Sequence, residues 1–309
     1  MLPIKIKLPD HFLDEEERCG FTVSPKMKKI WAVELDLLHE FQRVCKKYNL
    51  KYFTDSGTTI GAVRHNGFIP WDDDIDLAMF REDYNKLCQI APQEFKHPYF
   101  FQTEETDPGS ARGHGQIRNS LTTGILESER DLHYRFNQGI FIDIFVLDNT
   151  PDDKQVFNEQ IAECTAFREK ASACRSYTEH FLLLPRWNFI ARAINFIKYK
   201  YYHSKIFFPH GYNKFLYEYE KSASKYVSDN TTKYITNLSL LPYKEHRSRL
   251  REDYSSAIEF PFEMLSLPVP IGYDRILTNV FGNWKVPQKD PSLHGGIFFD
   301  PEKPYTQYR

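Results

Sequence analysis

The sequence predicts an α+β protein in which a mixed sheet is flanked by helices and joined to an additional, mainly helical region. Three observations support this fold class. Short apolar segments bounded by glycine, proline and asparagine are typical of strands in the first 150 residues. Apolar residues at helical spacing dominate from 152 to 229. The length of 309 residues and the hydrophobic content of 41% suffice for a substantial core.

These patterns divide the chain into four regions. They are an N-terminal arm (1–25), the core with the acidic motifs (26–150), the helical region (151–232), and strands, a short helix and a tail that complete the core (233–309). We expect helices over 25–48, 59–65, 81–90, 155–176 and 274–281. We expect strands over 51–54, 72–79, 99–103, 116–119, 123–126, 139–147, 233–238 and 259–267.

The first helix begins at Ser24-Pro25, because serine is a preferred N-cap and proline a preferred first helical residue. Its apolar residues recur at steps of three and four: Ile30, Val33, Leu37, Phe41, Val44 and Tyr48. This spacing is typical of a helix face that packs against a core. The last predicted helix ends before Gly282, a common residue just after a helix.

A short strand, a turn of small residues and a helix follow one another over residues 51–65. Gly57 allows a phosphate to approach the backbone, and the helix N-terminus offers unbonded N–H donors and a positive dipole end. Asn66-Gly67 and Pro70 end this helix, so Arg64 falls at its C-terminal end, near the next motif. The pattern indicates a phosphate site, whereas a simpler interpretation makes Arg64 a surface cation.

Four aspartates then occur within five residues: Asp72, Asp73, Asp74 and Asp76. Crowded like charges are costly unless a cation neutralises them, and carboxylates on one face suit Mg²⁺ or Mn²⁺. If the segment is extended, Asp72, Asp74 and Asp76 share one face, and Asp73 lies on the other. A solvated acidic loop is the alternative. The apolar residues on both sides, 68–71 and 77–79, favour carboxylates seated on a buried strand.

Asp143 lies inside the apolar segment 139–147, whose nearly continuous hydrophobic character predicts a strand buried on both faces. An unpaired carboxylate is costly to bury, so Asp143 requires a metal, a cation or a proton. The two interpretations are a third metal ligand and an internal ion pair with an arginine such as Arg118. Asp148 follows this strand beside Asn149 and Pro151, and we expect it in a turn, with a role in the phosphate site as the alternative.

The segment 181–208 is basic and aromatic and contains no acidic residue. Its cations are Arg186, Arg192, Lys198, Lys200 and Lys205. This charge is too high for a membrane span, but a basic aromatic helix can lie on an anionic membrane surface. The alternative is a helix that packs against the rest of the protein while its cations reach solvent.

Composition argues against several classes of protein. The formal net charge of -2 and the pI of about 6.6 give no general attraction to nucleic acid. Five cysteines without a CxxC pair argue against a disulfide framework or a zinc site and indicate a reducing compartment. The first residues include acids and prolines instead of an apolar run. We therefore expect a cytoplasmic protein, located at the inner face of the membrane if 181–208 binds lipid.

The order of elements resembles the nucleotidyltransferase superfamily: a strand, a turn of small residues, a helix and a strand with Asp-x-Asp. A longer stretch of the sequence carries a more specific resemblance. GAVRHNGFIPWDDDIDLAM resembles the signature of the LicD family. The strand GIFIDIFVLD and the C-terminal segment LPVPIGYDRILTNVFGNWKVPQKDPSLHGG resemble other parts of that family. Its members include phosphocholine transferases that decorate bacterial surface glycans, and fukutin-related sugar-phosphate transferases are relatives.

The resemblance implies a metal-dependent enzyme with a nucleotidyltransferase-like catalytic core and assigns two groups of residues. The implied ligands for Mg²⁺ or Mn²⁺ are Asp74, Asp76 and Asp143, with Asp72 as an additional ligand or the base for an attacking hydroxyl. The implied phosphate contacts are Gly57, Thr58 and Arg64, with Arg118 as a second cation. His294, in the C-terminal segment, either stays in solvent or closes over the substrate.

The implied reaction moves phosphocholine, or a related alcohol phosphate, from a CDP-alcohol to a sugar hydroxyl and releases CMP. CDP-choline is the expected donor. The expected acceptor is a cell-surface glycan or a lipid-linked glycan, such as lipopolysaccharide or teichoic acid. Two alternatives stay open: a nucleotidyltransferase that releases pyrophosphate, and a transferase that uses CDP-ethanolamine or a CDP-polyol.

Overall fold

The strands of the protein come from distant parts of the chain. The computed structural model describes residues 2–175, 185–202, 204, 206–207, 214–240, 249–288 and 296–308. Within these residues the strands are β1 (Glu16–Arg18), β2 (Phe21–Val23), β3 (Phe53–Thr54), β4 (Asp76–Phe80), β5 (Tyr99–Gln102), β6 (Gly115–Asn119), β7 (Thr123–Leu126), β8 (Ile140–Thr150), β9 (Tyr234–Thr236), β10 (Arg249–Leu250), β11 (Ala257–Phe262), β12 (Leu265–Pro270) and β13 (Ile297–Asp300).

The helices surround these strands and dominate the middle of the chain. In the described residues they are α1 (Pro25–Tyr48), α2 (Ser56–Ile60), α3 (Arg81–Glu94), α4 (Lys154–Arg175), α5 (Phe189–Tyr202), α6 (Lys214–Ala223) and α7 (Tyr273–Phe281). Short 3-10 turns lie at Glu127–Leu132, Leu238–Leu240, Arg251–Tyr254 and Tyr305–Tyr308.

Seven of the described strands form one mixed sheet. Its order is β10, β9, β8, β4 and β3, with β6 paired along the first half of β8 and β5 paired to β6. β4 and β8 are parallel, and the other pairs in this sheet are antiparallel. The predicted fold class, a mixed sheet flanked by helices with an additional helical region, is confirmed. The division into four regions stays a prediction.

Helix α1 forms where the sequence predicts it. The Ser24 hydroxyl accepts a hydrogen bond from the Met27 N–H (3.2 Å), and Pro25 occupies the first turn. Asn49 ends the helix in the left-handed conformation, with a φ of 52°. The buried face of α1, which includes Trp31, packs against β6 and β8. This face also lies next to the acidic motifs.

The helix predicted over 59–65 has a different form. Asp55 caps α2, which begins at Ser56, and Gly61–His65 continues as a π-helical turn that closes at Asn66. A Cβ atom on Gly61 would lie 2.5 Å from the Gly67 carbonyl oxygen. Glycine is therefore required for this tight return of the chain. The predicted end of the helix at Asn66-Gly67 is confirmed.

β8 is longer than predicted, and Asp148 lies within it. The expectation of a turn residue was wrong, because Arg81 supplies a partner that lets this carboxylate be buried in the strand. The Arg81 Nε and Nη2 atoms donate to the two Asp148 carboxylate oxygens at 2.6 and 2.8 Å. Both side chains are buried, and such a bidentate pair is one of the few ways to place a carboxylate inside a sheet.

The strand predicted over 259–267 is a hairpin of β11 and β12. Its turn contains Glu263, which has a φ of 54°. The Glu263 carboxylate accepts hydrogen bonds from Arg18 Nη1 (2.5 Å) and from the Phe68 N–H (3.2 Å). These tertiary contacts fix the turn and fasten the hairpin to β1 and to the loop before the aspartates.

The basic segment 181–208 is described at residues 185–202, 204 and 206–207. Its main element is α5, which carries many exposed apolar side chains. None of the helices in the described residues combines the length and hydrophobicity needed to cross a bilayer. His294 lies outside the described residues.

Candidate functional site

The loop before β4 places three carboxylates side by side. Asp72, Asp73 and Asp74 each offer an oxygen atom that lies within 4.8 Å of those of the other two. The expected position of Asp73 on the opposite face is therefore wrong. β4 begins only at Asp76, so the alternation of a strand does not apply to the preceding loop. Three hard oxygen ligands at this separation suit a divalent cation.

Asp76 and Asp143 approach this loop from two neighbouring parallel strands. Their Cα atoms are direct partners in the register of β4 and β8. In the described residues, neither belongs to the 4.8 Å cluster of the loop. Burial and the nearby carboxylates, above all those of Asp74 and Asp143, raise the pKa of Asp76 well above its usual range. Negative charge gathered in this way favours a bound cation.

Two side chains from the β6 side hold the Asp143 carboxylate. His114 Nε2 lies 3.0 Å from Asp143 Oδ1, and the Gln116 amide donates to the same oxygen at 2.6 Å. Burial by itself would raise the pKa of Asp143. The charge and hydrogen bond of His114, together with the Gln116 bond, outweigh burial and hold this pKa below its usual range. Asp143 is therefore kept as a carboxylate.

Arg118 reaches Asp143 through Gln116 and not directly. Its Nη2 donates to Gln116 Oε1 (2.5 Å), its Nε to Gln102 Oε1 (2.6 Å) and its Nη1 to the Gly139 carbonyl oxygen (2.7 Å). The side chain is 1% exposed, and burial lowers its pKa to about 9. All three side-chain nitrogens of Arg118 are thus bonded to acceptors of the protein, and its contact with a phosphate stays a prediction.

The turn after β3 packs against the aspartate loop. A Cβ atom on Gly57 would lie 2.6 Å from Asp72 Oδ2, so glycine allows this close approach. The Thr58 hydroxyl accepts a hydrogen bond from the Asp76 N–H (2.8 Å), and Thr58 is buried. The structure thus brings both predicted residues of the turn to the aspartates, with Thr58 fixing the first residue of β4.

A buried ion pair that sequence reasoning missed supports the same turn. Asp55 Oδ1 accepts hydrogen bonds from the Ser56 N–H and from Arg249 Nη1, each at 2.8 Å. Arg249 also donates to the Tyr254 hydroxyl (2.8 Å). Asp55 and Arg249 are 194 positions apart in the chain, so no local pattern could have joined them.

Arg64 lies at the end of the π-helical turn and contacts the C-terminal segment. Its Nε donates to His65 Nε2 (2.9 Å), and its Nη1 donates to the Trp284 carbonyl oxygen. Partial burial lowers the pKa of Arg64. These contacts join Arg64, a residue of the signature motif, to the C-terminal segment at Trp284.

Glu34 of α1 is a further carboxylate that no sequence motif indicated. It is 1% exposed, and burial together with the charges of Asp73, Asp74 and Asp72 raises its pKa well above the usual range. Neither carboxylate oxygen has a hydrogen-bond partner among the described residues. An orphaned, buried carboxylate that is repelled by the charges of three others fits a site that holds a cation.

Comparison with protein families assigns the middle of the chain. Residues 49–170 match the family model described as LicD/FKTN/FKRP, nucleotidyltransferase domain. This range contains the strands from β3 to β8. It therefore includes the aspartate loop, Asp76, His114 and Asp143, whereas Glu34 and Arg249 lie outside it.

Individual relatives agree with this match. The lipopolysaccharide cholinephosphotransferase LicD of Haemophilus influenzae is 30% identical over 154 residues, which cover 48% of this chain and 56% of that protein. An uncharacterised protein of Rickettsia prowazekii is 47% identical over 57 residues, 18% of this chain and 21% of the relative. Human ribitol 5-phosphate transferase FKRP is 35% identical over 51 residues, 16% of this chain and 10% of the relative.

The chain therefore spans about half the length of the first of these relatives and a smaller share of the others. The matched range is nevertheless the range that carries the acidic loop and both acidic strands. Residues 49–170 of this chain therefore match the LicD/FKTN/FKRP nucleotidyltransferase domain, and the acidic loop and both acidic strands lie within that match.

Proposed function

We propose that this protein is a metal-dependent phosphotransferase that moves phosphocholine, or a related alcohol phosphate, from a CDP-alcohol to a sugar hydroxyl of a cell-surface glycan and releases CMP. One observation supports this proposal most. A loop and two parallel strands inside the family domain gather five carboxylates: Asp72, Asp73, Asp74, Asp76 and Asp143. Two relatives are named as a cholinephosphotransferase and a ribitol 5-phosphate transferase. Both names denote transfer of an alcohol phosphate, and we propose the same type of transfer for this protein.

The proposed metal ligands are Asp74, Asp76 and Asp143, with Asp72 as an additional ligand or the hydroxyl base. A bound Mg²⁺ or Mn²⁺ would neutralise the charge that develops on the transferring and leaving groups. The donor set consists of hard carboxylate oxygens, which these ions prefer. The buried Glu34 oxygens, which have no hydrogen-bond partner among the described residues and are repelled by the loop aspartates, also support a cation here.

The surrounding residues have separate tasks in this proposal. Gly57, which lets Asp72 approach the turn closely, and Thr58 would contact the donor phosphate from this turn. Arg64 would supply positive charge for that phosphate. Asp72, when it is not a ligand, accepts the proton of the attacking sugar hydroxyl. Gln116, which is itself held by Arg118, keeps the Asp143 carboxylate in one orientation.

Choline is the favoured head group because the chain offers aromatic rings next to the acidic loop. A quaternary ammonium cannot donate an N–H hydrogen bond and binds best over aromatic faces. Trp71 directly precedes the aspartates, and its ring contacts Phe21 edge-on with 6.0 Å between centroids. Ethanolamine would instead require carboxylate or carbonyl partners, and a polyol would require hydroxyl-binding groups.

A screen of donors tests the proposed reaction. The protein is incubated with Mg²⁺ or Mn²⁺, an acceptor mixture of lipopolysaccharide and teichoic-acid fragments, and CDP-choline, CDP-ethanolamine or CDP-ribitol in turn. We expect CMP release that requires the divalent ion and is fastest with CDP-choline. Chelation of the metal should stop it.

The same assay distinguishes the alternatives. Pyrophosphate release from CTP, without CMP release from any CDP-alcohol, would indicate a nucleotidyltransferase and contradict the proposal. Faster turnover of CDP-ethanolamine or CDP-ribitol would overturn only the choline assignment. Mass analysis of the acceptor then identifies the transferred group.

We also propose that α5 lies on an anionic membrane surface, which would bring the enzyme to a lipid-linked acceptor. Ile190, Ile194, Ile197 and Tyr201 recur at helical spacing on one side of α5 and are 62%, 49%, 66% and 48% exposed. At 100° per residue, Lys198 and Lys200 fall roughly 80° to either side of this stripe. An outward apolar stripe flanked by cations is typical of interfacial helices.

Vesicle sedimentation tests the membrane contact. Binding should increase with the fraction of anionic lipid and decrease with salt, because surface charges are screened over roughly 10 Å at 0.1 M. The double substitution Ile194→Glu/Ile197→Glu should abolish it, since it places charge in the apolar stripe. Ile271→Glu, at an exposed apolar position outside the helical region, is the matched control. Equal binding of the double variant and the control would contradict the proposal.

A further inference from the structure

The helix that precedes the family domain contacts the acidic loop directly. The Trp31 indole of α1 donates to the Asp72 carbonyl oxygen at 2.9 Å. The Trp31 ring is itself fixed, because it is fully buried and stacks on Phe68 with 4.6 Å between centroids. Glu34 follows three residues later, so it lies on the same side of the helix as Trp31. The backbone of α1 therefore carries Glu34 towards the loop.

Glu34 differs from the other buried charged residues of α1. Asp36 accepts hydrogen bonds from the Lys5 N–H, the Ile6 N–H and the Tyr99 hydroxyl. Lys28 donates to the Glu16 carboxylate at 2.6 Å. Glu34 is buried as deeply as Asp36, yet neither of its carboxylate oxygens has a hydrogen-bond partner among the described residues.

Glu34 lies outside the 4.8 Å cluster of the loop aspartates, but the charged groups that act on it most strongly are acidic. They are Asp73, Asp74, Asp72 and Asp143. A buried carboxylate that has no hydrogen bond from the described residues and is repelled by other carboxylates is stabilised by a cation that they share. The missing hydrogen bonds of Glu34 and the clustering of the three loop aspartates are two separate observations.

We infer that Glu34 is a ligand of the divalent cation at the aspartate loop, so that the metal site extends from the family domain into helix α1. This inference rests on the metal site of the proposed function and not on its donor or acceptor. It also gives α1 a role beyond packing, because a helix of the hydrophobic core would then supply one ligand of the metal.

The test measures metal binding to the whole protein without any donor. Mn²⁺ affinity is determined by electron paramagnetic resonance and calorimetry for the wild type, Glu34→Gln and Asp36→Asn. We expect Glu34→Gln to bind Mn²⁺ roughly 10-fold or more weakly, because it keeps the side-chain shape but loses the charge. Its melting temperature without metal should equal or exceed that of the wild type, since a buried like charge is removed.

Asp36→Asn is the matched control, because Asp36 is equally buried on the same helix but has partners. It should lower the melting temperature and leave Mn²⁺ affinity within twofold of the wild type. Glu34→Asp retains the charge on a shorter side chain and should give an intermediate affinity. If Glu34→Gln does not fold, Glu34→Asp decides the question, because unchanged affinity of this variant would overturn the inference.

The possible results separate the inference from the proposed function. Equal Mn²⁺ affinity of Glu34→Gln and the wild type, together with metal-dependent CMP release by the wild type, would overturn the inference alone. Weaker binding by Glu34→Gln in a protein that never releases CMP would overturn the function alone. A wild-type protein that binds neither Mn²⁺ nor Mg²⁺ would overturn both.

Discussion

Asp76→Ala is expected to lower CMP release by roughly 1000-fold or more, which corresponds to about 4 kcal/mol of transition-state stabilisation. Asp76 begins β4 and stands opposite Asp143 in the parallel register. Removal of its carboxylate takes one ligand from the proposed metal site and leaves the core volume almost unchanged. Asp74→Ala should behave in the same way. Turnover is measured over a range of Mg²⁺ concentrations, so that weakened binding and lost catalysis are separated.

The stability of these variants provides the complementary measurement. Without metal, Asp76→Ala should unfold at the same temperature as the wild type or higher, because a buried carboxylate among like charges is removed. With saturating Mg²⁺, the wild type should gain stability and the variant should gain much less. Asp131→Asn, which changes an exposed aspartate, is the control and should respond like the wild type. Near-normal turnover of Asp76→Ala at saturating metal would contradict the assignment of this ligand.

Asp143→Asn is expected to reduce catalysis by several orders of magnitude while the protein stays folded. An asparagine retains one oxygen that can accept the bonds of Gln116 or His114, so the packing of β6 against β8 should persist. The charge that would bind a metal is lost. The expected result is therefore a large fall in CMP release and Mn²⁺ affinity with a small change in melting temperature.

The opposite result would identify a structural carboxylate. If Asp143 serves only to pair with His114 and the Gln116–Arg118 chain, Asp143→Asn should lose stability and retain much of its turnover. Gln116→Ala provides the comparison, because it removes a support of Asp143 and leaves the carboxylate in place. We expect Gln116→Ala to lose less activity than Asp143→Asn. A larger loss in Gln116→Ala would contradict the role of Asp143 as a ligand.

Local signals of the sequence determined most elements of the fold. Ser24-Pro25 begins α1 because a hydroxyl cap and a fixed proline φ act within one turn of the chain. Gly282 ends α7 for the same kind of reason, with a φ of 63°. The apolar segment that contains Asp143 predicts a buried strand, because burial on both faces leaves no place for polar residues. The motif around Asp72 to Asp76 indicates the location of the site through charge density alone.

Register and long-range pairing are not local properties, and they decided the remaining features. Gln116 lies opposite Asp143 only through the antiparallel pairing of β6 with β8, so neither Gln116 nor His114 stood out in the sequence. Arg118 is buried, and it binds Gln102 of the neighbouring strand β5 as well as Gln116. Asp73 joins Asp72 and Asp74 because β4 starts three residues after it.

The two least predictable residues are Glu34 and Asp148. By sequence alone, Glu34 is one polar residue within an amphipathic helix, and only the contact of α1 with the aspartate loop gives it charged neighbours. Asp148 is buried because it pairs with Arg81, which lies 67 positions earlier and directly follows the neighbouring strand β4. The sequence by itself determined where charge and apolar surface lie along the chain. The tertiary structure decided which charges face one another, because that depends on strand register and helix packing between distant segments.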